Sequence, residues 1–151
     1  MKKFTILLSL IIIILGLLQF IPLKRPGGKN AHELQASKEV KDILKRSCYD
    51  CHSDLTRWPW YSKVFPISLL VIHDVKEGKE FLNFSEWESL SLKQKSNSSF
   101  EIIEEIESKE MPLKIYLPLH PEAKLSSKDI DLLKKWADEI DLQYAESKKN
   151  R

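Results

Sequence analysis

Apolar residues recur along this chain in two patterns. From Phe4 to Leu23 they are nearly continuous, with Ile11 to Ile14 at the centre and no charge inside the run. About 20 such residues at 1.5 Å rise can cross a hydrocarbon core of about 30 Å. The run follows a basic start, Met1-Lys2-Lys3, and no small-residue cleavage site comes after it. Residues 1–25 therefore predict an uncleaved signal anchor, a transmembrane helix. Pro26-Gly27-Gly28 breaks the pattern, and residues 26–36 read as a linker.

Beyond the linker, apolar positions fall three and four apart, the period of a helix with one buried face. Val40, Ile43 and Leu44 predict a helix from a Ser37 cap to about Ser47. Pro66 suits the first turn of another. Its Ile67, Leu69, Leu70, Ile72 and Val75 predict that it is largely buried, and Gly78 suits its end. Ser85 with Glu88 has the spacing of a capping box, which predicts a short helix. Residues 93–99 are polar and read as a loop. Ser98 with Glu101 repeats the capping spacing and opens a helix to about Lys109, with Phe100, Ile103 and Ile106 on one face. Ser126 with Asp129 opens the last helix, with Ile130, Leu133, Trp136, Ala137 and Ile140 as its stripe. The tail 146–151 is polar and is expected to fray. The fold class is all-α: an N-terminal transmembrane helix, then a helical domain over 37–145.

At 151 residues the chain holds one domain and an appendage. Four of its 24 basic residues, Lys2, Lys3, Lys24 and Arg25, belong to the N-terminal segment, so the remainder has fewer basic residues than its 22 acidic ones. That balance argues against a nucleic-acid binder, which needs a basic face. Only two cysteines are present. They exclude a disulfide scaffold and a four-cysteine zinc site within one chain.

Both cysteines lie in Cys48-Tyr49-Asp50-Cys51-His52, a C-x-x-C-H pattern and the attachment signature of c-type haem. Two thiols can add across the two vinyl groups of one haem, and the adjacent imidazole can reach the iron. The same residues could instead form a dithiol pair or half of a zinc site. His52 is thus the candidate proximal iron ligand, and Cys48 and Cys51 the candidate thioether anchors. Met111, followed by a helix-breaking proline, is the only methionine besides the initiator. Its soft thioether makes it the candidate distal ligand, with His73 as the alternative. Trp58, Trp60 and Tyr61 load a Pro59-containing segment with aromatic surface. They are either plain core or a wall for the haem, with Arg57 near the propionates. His32 in the linker and His120 in a proline turn are weaker ligand candidates.

A helix feeding directly into C-x-x-C-H resembles the opening of small class I cytochromes c. Several runs together resemble something narrower: Cys-Tyr-Asp-Cys-His-Ser at 48–53, Trp-Pro-Trp-Tyr-Ser at 58–62, Leu-Asn-Phe-Ser-Glu-Trp at 82–87, Glu-Met-Pro-Leu at 110–113 and His-Pro-Glu-Ala at 120–123. Over about residues 30 to 140 the chain is similar to the bacterial haem-binding domain family. That resemblance implies one covalent haem c in an exported, cytochrome c-like domain, with no firmly assigned reaction. The function expected is a membrane-anchored mono-haem cytochrome that passes single electrons to a redox partner protein whose identity the sequence does not give. An open distal position would instead allow peroxidase chemistry or small-gas sensing, and a non-haem C-x-x-C redox or zinc module is the third reading. The favoured reading is not an enzyme. It places the chain in the bacterial cytoplasmic membrane, single-pass, with its haem domain on the outer, periplasmic side.

Overall fold

A computed structural model describes residues 2–150, and among these every regular element is helical. The first helix, α1, spans Lys2–Leu18, and none of its residues is buried. Its 17 residues rise only about 25 Å at 1.5 Å each. After Leu18 the chain tightens: the amides of Gln19, Phe20 and Ile21 each donate to the carbonyl three residues back, and Pro22 has no amide to give. Gln19 turns to the Phe65 backbone instead, accepting from its amide (2.9 Å) and donating to its carbonyl (3.3 Å). No helix among the described residues is long and apolar enough to cross a membrane. The expected transmembrane helix, and with it the single-pass placement in a cytoplasmic membrane, is therefore overturned. The apolar run was long enough only when Gln19 to Leu23 were counted as helix.

The helix α2, Lys38–Ser47, is capped by Ser37, whose hydroxyl accepts from the Val40 amide, and buries Val40, Ile43 and Leu44. It passes through Cys48 into the single turn α3, Tyr49–His52. The Cys48 amide still bonds the Leu44 carbonyl at 2.8 Å, and the Cys48 carbonyl accepts from Cys51 and His52. The motif is thus an extension of α2 rather than a loop.

Next comes α4, Ile67–Phe81. It runs past Gly78, which does not end it. Gly78 is needed for a close approach: a Cβ there would lie 2.8 Å from the Cys51 carbonyl oxygen. Beside it, the Lys79 ammonium pairs with the nearly buried Asp54 carboxylate, so α4 is clamped onto α3. The expectation of a largely buried α4 is corrected, because Ile67, Leu69 and Leu70 are each close to half exposed.

A short 3-10 segment, Phe84–Ser89, is capped by Asn83 rather than by Ser85. The Ser85 hydroxyl is taken by the Asp54 amide at 2.9 Å. The helix α5, Leu92–Glu107, begins about two turns earlier than its apolar residues suggest, with a capping box of Ser91 and Gln94. Residues 93–99 are therefore helix, not loop. Ser96 and Ser99 face inward with partners of their own: Ser99 donates to the Ser96 carbonyl, and Ser96 to Asp141 of the last helix. That helix, α6, spans Ser127–Lys149 with the expected Ser126–Asp129 box, and continues through the stretch expected to fray.

The core joins α2, α3, α5, α6 and the 84–89 segment around Leu44, Tyr49, Phe84, Trp87, Leu133 and Trp136. Tyr49, from the motif itself, stacks on Phe84 (centroids 5.2 Å apart), which meets Trp87, which meets Trp136. Leu34, in the stretch read as a linker, is completely buried in this cluster. Its amide donates to the Phe84 carbonyl, and the His32 amide to that of Ser85. α6 packs along α5 and meets α2 through the Arg46–Asp129 ion pair at 2.6 Å.

Candidate functional site

The two cysteines sit at successive ends of α3's first turn, half-buried, as free thiols. Burial pushes Cys48 up to about 12, with the neighbouring Cys51 adding to the effect and Arg46 opposing it. Burial, then the Asp74 and Asp50 carboxylates, push Cys51 up to about 11. Both groups therefore carry their protons at neutral pH.

His52 closes the same turn. Burial lowers its pKa, with carbonyls of Leu82 and Gly78 opposing the shift. Its Nδ1 lies 3.2 Å from the Leu82 carbonyl oxygen. A carbonyl only accepts, so Nδ1 carries the hydrogen and Nε2 keeps its lone pair. A neutral imidazole, oriented by a backbone carbonyl with its other nitrogen free, is the form in which histidine ligates metals.

These side chains open onto a cavity of about 610 Å³, lined among others by Ser47, Cys48, Cys51, His52, Phe81, Met111 and Tyr116. That volume lies within the range of small-molecule and cofactor sites. A second cavity of about 250 Å³ adjoins it and shares Ser47, Cys48, His52, Phe81, Met111 and Pro112. Met111 reaches this place from the loop after α5, where its amide donates to the Glu105 carbonyl at 3.1 Å. The structure thus brings Cys48, Cys51, His52 and Met111 to one cavity. Ser47, lining both cavities, has a buried hydroxyl oxygen without a hydrogen-bond partner. Such an atom is costly unless something in the cavity satisfies it.

The other sequence candidates are spread more widely. Trp60 and Tyr61 line a third cavity of about 420 Å³, which shares Asp50, Cys51, Asp74, Leu113 and Tyr116 with the first. Trp58 lies outside these linings, beneath the Arg25 guanidinium at 4.8 Å. His73 is on α4 with more than half of its side chain exposed, 3.4 Å from Glu77, and lines none of the three cavities. His32 serves the backbone ladder with Ser85. His120 places Nε2 2.7 Å from the Tyr61 hydroxyl and stacks on Tyr116.

Reasoning from sequence passed over Asp50, Tyr116, Phe81 and Ser47. Asp50 is the strongest omission. Lying between the cysteines and only 9% exposed, it accepts from the Arg57 amide and Nε (3.0 and 3.1 Å), from Arg57 Nη2 (3.2 Å) and from the Tyr116 hydroxyl (2.8 Å). The signal for it was an acid inside the motif followed at short range by an arginine.

Among the described residues, no group of three or more His, Cys, Asp or Glu side chains converges as a metal cage would. A family model described as a haem-binding domain matches residues 13–139. No curated protein and no solved structure matches the chain.

Proposed function

Since the chain belongs to the haem-binding domain family, and haem is therefore its cofactor, we propose that it holds one haem covalently as a c-type cytochrome and passes single electrons. In this reading Cys48 and Cys51 are the thioether anchors, His52 the proximal ligand and Met111 the distal one. The observation that carries it is the meeting of all four side chains at one cavity, with the His52 ring oriented by its Nδ1–Leu82 bond.

The residues fit the group chemically. Haem, when bound, supplies a one-electron Fe(II)/Fe(III) couple. Cys48 and Cys51 would each supply a reduced sulfur for a thioether, the sulfur going to one carbon of a vinyl C=C and the proton to the other. No oxidant or reductant is consumed. Burial and neighbouring groups raise the pKa of both Cys48 and Cys51, which keeps them as thiols at neutral pH. Met111 would hold the iron as a second protein ligand beside His52, which would favour electron transfer over substrate binding. The lining of the first two cavities offers no lysine or arginine to pair with haem propionates.

A reduced-minus-oxidised spectrum tests this reading. After denaturation in acidified organic solvent, the c-type band stays with the polypeptide, and Cys48→Ser with Cys51→Ser releases it. Met111→Ala converts a low-spin spectrum to high-spin. A native protein that is already high-spin sinks the electron-transfer reading and favours an open site for peroxide or a small gas.

A further inference from the structure

Met111 sits in a loop tied down on both sides. Towards α5, its amide and that of Glu110 both donate to the Glu105 carbonyl. On the far side, the chain turns after Pro112, with the Tyr116 and Leu117 amides both donating to the Leu113 carbonyl. There the Tyr116 hydroxyl reaches across the cavity wall to Asp50 Oδ2 at 2.8 Å. Asp50 belongs to the motif and is fixed by Arg57 through three further hydrogen bonds. The outer face of the Tyr116 ring is covered by His120, whose ring lies parallel at 4.0 Å. One hydrogen bond therefore joins the cysteine side of the cavity to the methionine side.

We propose that the Tyr116–Asp50 hydrogen bond is a strap that keeps Met111 over the cavity and sets how readily a foreign ligand takes its place. The proposal rests on Met111 being the distal ligand. Tyr116 is then a positioning residue, acting through the loop and not on the iron. An exogenous ligand binds only those molecules in which Met111 has swung away, so its apparent affinity scales with their fraction. A hydrogen bond to a carboxylate is charge-assisted and stronger than a neutral one. Removing it raises the open fraction by about tenfold or more. Phenylalanine keeps the stack on His120 and loses only the hydroxyl.

The test titrates the full-length, haem-loaded ferric protein with imidazole and follows the visible spectrum. Tyr116→Phe is expected to tighten imidazole binding by about tenfold or more and to speed hydrogen exchange at the Tyr116 and Leu117 amides. Arg57→Gln, which loosens Asp50 without touching the Met111 loop, moves the affinity in the same direction. Met111→Ala sets the upper limit. A gain in Met111→Ala with none in Tyr116→Phe or Arg57→Gln overturns the strap alone. No gain even in Met111→Ala overturns the distal-ligand reading, and the strap with it.

Discussion

At Gly78, the absence of a side chain lets α4 press its backbone onto the motif. Gly78→Ala would bring a carbon to 2.8 Å from the Cys51 carbonyl, where two backbones must part. Overpacking of this kind costs about 1–3 kcal/mol, seen as a lower midpoint in urea denaturation with less haem incorporated per chain. Leu34→Ala removes a side chain with no exposure at all and should cost about 2–5 kcal/mol. Its cost is a direct measure of how far the folded unit extends towards the N-terminus. Cys48, Cys51, His52 and Met111, which the structure brings to one cavity, stood out as candidates in the sequence, the first three by the spacing of their motif and Met111 by being unique beside the initiator. Ser47 did not, because its surroundings are set by the cavity. At Asp50 only the nearby Arg57 was legible; its bond to the distant Tyr116 is announced by nothing local in the sequence.

Apolar periodicity gave the number and order of the main helices but misplaced several ends. In α5 the expected box of Ser98 with Glu101 does not form, and Ser91 with Gln94 makes one instead. Ser91→Ala should therefore destabilise the fold by about 1 kcal/mol, the usual cost of losing a cap. Ser98→Ala should leave the thermal midpoint unchanged. Equal effects from the two would place the helix start wrongly. The polar first turns of α5 were misread because a serine satisfied by Ser96–Asp141 bonding can be buried where periodicity expects a hydrocarbon. In α1 the error runs the other way: apolar composition continues to Leu23, while hydrogen bonding stops the helix at Leu18.

Across the whole molecule, three carboxylates join segments far apart in sequence. The Asn30 amide holds Glu33 below its ordinary value of 4.5, helped by Lys45 against opposing burial. Burial raises Glu88 and Asp129, but Lys95 and the Gln35 amide outweigh it at Glu88. At Asp129 the Ser126 hydroxyl and amide and Arg46 do the same. A depressed folded pKa contributes stability above the unfolded value and loses it as pH falls through the folded one. Asp74 opposes them, because burial raises it above 3.8 and protonation there relieves the folded state. Glu122, lowered by a backbone hydrogen bond and by His120, adds to the first group, and this balance predicts a thermal midpoint that falls as pH drops below about 4.5. Asp129→Asn should flatten the lower part of that profile, and an unchanged slope would exclude the Arg46 pair as a source.

The ladder between residues 32–34 and 84–88 decides where this chain can be cut. The sequence pattern invites trimming to Ser37, at the start of the first capped helix of the domain. A protein starting there loses the Leu34 side chain from the core, and the Phe84 and Ser85 carbonyls lose the amides that satisfy them. Trimming to Lys29 keeps both. For expression, crystallisation or fusion to another protein, the junction belongs at Gly27, which has open space around it, and not at Gly28, which lies against the Asp54 carboxylate.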